Sequence, residues 1–323
     1  MTTARYLLPE DELTHRRPHP ATSPKISTDS VNDHLKPTDK GHTLTWDEIP
    51  DWRRDNEYIT GGYRRLQYSF QGCFHSVFAY LHNETVNIHS HLWGALLFIY
   101  FLISFPYIYM SQYDATTTWF DLAVFAIFLL SAVICLLFSA GYHTFDAHSK
   151  SVATQCHALD YTGIISLIMG SFFPCIYYGF YCDPTYQVIY LTGLTVIGAG
   201  AAYIVLNPEY RKPTHRGART SVFIALGLCG VIPTTHALIS HGYDELCYEM
   251  GFRWVLLSGA LYIVGAILYA NRIPEKLSPG TFNYFGSSHQ IFHLCVVLAA
   301  LAHYTCVLLS FDYWHSRGAM CPI

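Results

Sequence analysis

Seven stretches of the chain are too apolar to be left in water: roughly 88–110, 119–142, 161–180, 188–206, 221–239, 252–270 and 289–311. Each approaches the roughly 20 residues that a helix needs to cross a bilayer. No other feature constrains the fold as strongly, and it predicts an all-α membrane protein of seven transmembrane helices. Composition agrees, because 51% of residues are hydrophobic and only 13% are charged, which is not the profile of one large soluble domain. Pro106, Pro174 and Pro233 fall inside these runs. Membrane helices tolerate such prolines, so a kink is expected at each.

Around this core the chain divides into four parts. Residues 1–45 are rich in Ser, Thr, Pro, His and charge without periodicity, and read as a disordered cytoplasmic tail. Nothing in the first sixty residues looks like a signal peptide, so the first span should drive insertion. Residues 46–83 gain aromatics, and Leu66, Phe70, Phe74, Val77, Phe78 and Leu81 recur at helical spacing. Two readings are open there: an amphipathic helix on the membrane surface, or a packed helix plugging the bundle. The seven-helix domain occupies 84–311, and 312–323 is a short outer tail. Basic residues flank alternate connections: Arg53, Arg54, Arg64 and Arg65 before the first span, Lys150, then Arg211, Lys212, Arg216 and Arg219, then Arg272 and Lys276. The opposite connections carry only Arg253 and Arg317, which predicts a cytoplasmic N-terminus and an extracellular or lumenal C-terminus. No nucleic-acid partner is expected. The ten cysteines show no C-x-x-C spacing and lie largely in apolar runs, where packing explains them. Cys182 and Cys247 differ, since both fall in short polar connections.

The chemistry concentrates on one side. His289 and His293 open the last run four residues apart, so they share one helix face about 6 Å apart. Imidazole inside a span is costly and marks a functional site. Given the alternating topology, the second run ends on the same inner side with Ser139 and His143, one turn apart, and the third begins there with Asp160 and Tyr161. Arg219 opens the fifth run, while Glu84, Asn87 and His91 surround the start of the first. Three imidazoles with one open position is the arrangement of a catalytic zinc. His143, His289 and His293 are the natural ligands, with Asp160 orienting a water or taking its proton and Ser139 nearby. The alternative is that these histidines bond between helices without metal, and spacing alone does not choose. Glu84 and Asn87 are expected to fasten helix ends. Arg219 either snorkels to the interface or holds a polar lipid group. His303 is expected too far along its helix to join the site, some 20 Å from His289. His148 and His157 are expected in an inner loop.

Four motifs now carry a resemblance. They are His82-Asn83-Glu84-Thr85-Val86-Asn87-Ile88-His89-Ser90-His91, then Ser139 to His143, then Leu159-Asp160-Tyr161-Thr162-Gly163, then Ser288-His289-Gln290-Ile291-Phe292-His293. In this order they resemble the progestin and adiponectin receptor family, which includes haemolysin-III-related and fungal zinc-homeostasis proteins. The similarity runs from about Trp46 to Phe311 and is closest to the adiponectin-receptor branch. The resemblance implies seven helices with a cytoplasmic N-terminus, Zn2+ on His143, His289 and His293, and Asp160 as the water-contacting aspartate. It further implies membrane lipids as partners, through hydrolysis of a ceramide-like amide to a fatty acid. The alternative is a receptor for an extracellular ligand, with zinc purely structural. A zinc channel ranks third, because three histidines and a carboxylate hold the ion too tightly for passage. Either the plasma membrane or the endoplasmic reticulum would suit such a protein.

Overall fold

A computed structural model describes residues 41–207, 209 and 213–321. Most of the expected tail, the basic pair Arg211 and Lys212, and the last two residues lie outside the described residues. Among the described residues, seven helical segments are long and apolar enough to cross a membrane. Six are single helices: α2 (Thr85–Ile108), α3 (Trp119–Phe145), α4 (Lys150–Gly179), α5 (Pro184–Leu206), α9 (Phe252–Asn271) and α10 (Ser288–Ser316). The fifth span is broken into α6 (Arg216–Leu228) and α7 (Val231–His241). A kink at Pro233 was the expectation, and the interruption falls at Cys229 and Gly230 instead. Proline clashes with the carbonyl four residues earlier, here that of Cys229, so the helix stops there and restarts with Pro233 in its first turn. A second difference concerns α4, which begins at Lys150 rather than near 161, so His157 sits on a helix and not in a loop. Short helices α1 (Phe70–Ala79) and α8 (Tyr243–Glu249) complete the set.

The core is built on α3. Phe125, Phe128, Leu129, Ala132 and Leu136 are fully buried against Phe98 and Phe105 of α2 and Ala300 and Phe311 of α10. Conversely, Trp93, Tyr100, Ile103 and Tyr107 on α2, and Val196 and Tyr203 on α5, are exposed. Large apolar side chains turned outward on spanning helices are what a lipid solvent permits. Helix α1 exposes Phe70, Phe74, Phe78 and the following Leu81 while burying Cys73, Ser76 and Val77. Its apolar stripe faces out, as in a helix lying on a membrane surface.

A cap covers the end of the bundle where α3 finishes and α10 begins. Strands β1 (Thr43–Thr45) and β2 (Gly61–Arg64) pair antiparallel, so ordered structure starts inside the stretch expected as tail. Arg64 is fully buried, donating to Ser76 Oγ at 3.0 Å, to the Thr144 carbonyl at 3.1 Å and to the His143 carbonyl, and pairing with Asp146. A buried guanidinium is tolerable when its two terminal nitrogens find acceptors and a carboxylate in this way, although Nε has no partner here. On the other side, buried Glu275 accepts the Ser288 backbone N–H at 2.7 Å and the Asn56 amide at 3.0 Å. It thereby caps the first turn of α10, where N–H groups lack helical partners and negative charge is favoured. At the opposite end of the bundle, Cys182 and Cys321 form a disulfide. Beside it, Asp121 and His315 meet at 3.0 Å with both side chains buried, and Tyr178 donates to Asp121 at 2.9 Å.

Candidate metal centre

The last turn of α3 supplies His143, and the first two turns of α10 supply His289 and His293. Their ligand-capable nitrogens lie within 4.8 Å of one another, the only such group of three or more His, Cys, Asp or Glu among the described residues. The Nε2 atoms of His143 and His289 stand 3.3 Å apart. Two of the rings, His143 and His293, are buried, and His289 is half-buried. The arrangement follows from local geometry: a four-residue spacing aligns two histidines on α10, and packing against α3 brings the third. Three imidazole donors without sulfur, gathered away from water, could hold a divalent metal ion.

Asp160 is buried on α4 beside Ser139, itself buried one turn before His143. Asp160 is not part of the three-imidazole group. The neighbouring Tyr161 ring receives the Arg219 guanidinium at 5.0 Å from its centroid. Arg219 is 5% exposed, so it does not snorkel outward. Glu84 is brought closer to the centre than a helix fastener need be: its Oε2 lies 2.7 Å from Nδ1 of His143. The Asn87 carbonyl lies 3.2 Å from Nδ1 of His293, and the His91 ring stacks on the His293 ring at 3.8 Å. The sequence offered a signal for this, since Glu84, Asn87 and His91 recur on one helix face.

His303 lies ten residues beyond His293, about 15 Å along the helix, and its Nε2–H donates to the Ser171 carbonyl at 2.9 Å. It ties α10 to α4 outside the triad, as its position predicts. His157 stacks on Tyr142 at 4.6 Å. The pairing of Cys182 with Cys321 was not anticipated, because nothing in linear spacing links the turn after α4 to the tail.

The centre opens into a cavity of about 1150 Å³ between α4, α6, α7, α9 and α10. His143, Asp160, Tyr161 and Arg219 line one end, and Phe180, Leu238 and Met250 line the other. Polar chemistry at one end of a long, largely apolar chamber suits a ligand with a polar head and hydrocarbon chains.

The family described as haemolysin-III related matches residues 79–304. A progestin and adipoQ receptor-like protein of Caenorhabditis elegans is 40% identical over 81% of this chain and 59% of its own length. An ADIPOR-like receptor of Saccharomyces cerevisiae is 40% identical over 84% of this chain and 85% of its own. An adiponectin receptor protein of Drosophila melanogaster is likewise 40% identical, over 79% of this chain and 56% of its own. The chain thus spans well under two thirds of the nematode and fly relatives and most of the yeast one.

Proposed function

The chain belongs to the haemolysin-III-related family of integral multi-pass membrane proteins, and within it we propose a zinc-dependent hydrolase acting on the amide of ceramide-type lipids. One observation carries the reading: three converging imidazoles stand at the polar end of a chamber sized for hydrocarbon chains. When bound by His143, His289 and His293, zinc supplies Lewis acidity towards a carbonyl and a water. The chain's own residues do the rest. Asp160 accepts a proton at its carboxylate and later returns it to the leaving amine, with the Ser139 hydroxyl beside it. The apolar wall formed with Phe180, Leu238 and Met250 takes the hydrocarbon and keeps bulk water from the reacting carbonyl. Arg219, buried against Tyr161, lies where a polar lipid group would enter.

The N-terminus is proposed to face the cytoplasm, so that the centre lies near the inner leaflet. Basic residues on that side and a disulfide on the other support this orientation. A second reading, a receptor whose zinc is structural, draws support from the word receptor in the relatives' names.

Turnover of labelled ceramides by purified protein, with and without zinc, separates the two. General-base assistance contributes roughly 10²–10⁴-fold, so zinc-loaded Asp160→Asn should lose at least about a hundredfold of the parent's rate. A loaded variant working at the parent rate removes Asp160 from the mechanism. A zinc-loaded parent that turns over no ceramide leaves the receptor reading.

A further inference from the structure

The His-Asn-Glu-Thr-Val-Asn-Ile-His-Ser-His motif at the start of α2 has no part in the function proposed so far. Resting on the zinc reading above, we infer that this turn is the outer shell of the metal centre, with Glu84 a positioning residue for His143 and Asn87 its counterpart for His293. A carboxylate oxygen accepts hydrogen bonds and cannot donate them. The 2.7 Å contact from Glu84 Oε2 therefore places a proton on Nδ1 of His143. The lone pair is left on Nε2, the nitrogen that stands 3.3 Å from His289 Nε2. The Asn87 carbonyl, also an acceptor only, fixes the His293 proton on Nδ1 at 3.2 Å in the same way. Both rings are thus held as the tautomer whose Nε2 can bind a cation.

The same turn also holds these partners still. The Asn87 side-chain amide donates to Glu84 Oε2 at 2.7 Å, so the carboxylate is anchored from below as it grips His143. His91, one further turn along, stacks on the His293 ring at 3.8 Å with 17° between planes. Its Nε2–H donates to the His293 carbonyl at 3.3 Å. Glu84, Asn87 and His91 follow at spacings of three and four, which puts all three on one face of α2. A contact serving only to fasten α2 to α3 could end on any polar atom. This one ends on the imidazole nitrogen opposite the converging Nε2 atoms. A carboxylate there fixes ring orientation and raises ligand basicity, and losing such a partner costs about 10–100-fold in metal affinity.

The test measures zinc affinity of the purified full-length protein by chelator competition, together with the zinc-induced rise in Tm. Glu84→Ala should bind zinc about 10–100-fold more weakly than the parent. Glu84→Gln keeps an acceptor oxygen but not the charge, and should fall between them. Because stabilisation by a ligand follows RT ln(1 + [L]/Kd), the zinc-induced rise in Tm should shrink in the same order. Asp121→Asn, which breaks the buried network at the opposite end of the bundle, should lower the zinc-free Tm and leave affinity unchanged. Glu84 variants that lose only zinc-free stability, with parent-like affinity, reduce Glu84 to a fastener and overturn the inference. If Glu84→Ala is not recovered folded, Glu84→Gln decides by the same criterion. Failure of the parent to take up about one zinc per chain is a separate result, which defeats the metal reading itself and this inference with it.

Discussion

His82 is fully buried, and burial together with the positive charge of Arg64 pushes its pKa down to about 4. Its Nδ1 accepts the Glu84 backbone N–H at 3.2 Å, an arrangement that needs the neutral ring. Unfolded, the imidazole takes its proton near the ordinary value of 6.5, whereas folded it stays neutral until about pH 4. Across that window the unfolded chain holds more protons, so stability falls as pH drops. The penalty is absent above the upper value and complete below the lower one. At about 1.4 kcal/mol per pH unit it reaches on the order of 3 kcal/mol. In thermal melts of detergent-solubilised protein, His82→Gln should flatten the decline of Tm between pH 6.5 and about 4 relative to the parent. Parallel slopes would acquit His82. Arg53 behaves oppositely although its side chain is also buried. Desolvation is the largest single effect, but the charge and hydrogen bond of Asp146 together with the charge of Glu84 outweigh it and hold the pKa above the ordinary value.

The tightest pairing of elements is α3 against α4, which depends on two glycines. A Cβ at Gly170 would stand 2.1 Å from Ser131 Oγ, and one at Gly163 would stand 2.8 Å from the Cys135 Cα. Small residues let membrane helices approach this closely, and overpacking such a seam costs about 1–3 kcal/mol. Both Gly163→Ala and Gly170→Ala should therefore lower Tm by several degrees. The two differ in remedy. Adding Ser131→Gly removes the side chain facing residue 170, whereas no side-chain change moves the Cys135 backbone. A double-mutant cycle should show coupling for the first pair and none between Gly163→Ala and Ser131→Gly. Element by element, the spans were legible because apolar runs of bilayer length have few alternatives. The three converging histidines were legible because helical period and alternating topology put them on one side. Other features depended on relations that linear spacing does not encode. The start of α4 was missed because residues 150–160 are polar enough to pass for a loop. The bond from Glu84 to His143 depends on the rotation of α2 against α3. The partner of Cys182 lies 139 residues away, beyond every span.

The seven spans among the described residues put the segments flanking α2 and α10 outside the bundle on opposite sides, so one sided observation orients the bundle. Two independent features point the same way. Arg53, Arg64, Lys150, Arg219 and Arg272 gather at the end carrying the cap and the histidine triad, where positive charge favours the cytoplasm. The Cys182–Cys321 disulfide lies at the other end, and disulfides persist in oxidising compartments. Cys156, half-buried and unpaired near the start of α4, is a reporter for the first side, and the disulfide reports for the second. In sealed microsomal vesicles, whose cytoplasmic face points outward, an impermeant maleimide should modify Cys156 directly. Cys182 and Cys321 should be modified only after the vesicles are opened and the disulfide reduced, with peptide mass mapping identifying each site. Cys156→Ser should abolish the first signal and leave the second intact. The reverse order of labelling would place the triad on the lumenal or extracellular side. It would also mean that the positive charges of the cap are held outside by something stronger than the usual insertion bias. The expected order instead gives the proposed amide hydrolase access to lipids of the cytoplasmic leaflet, with its polar centre at their headgroups and its apolar chamber alongside their chains.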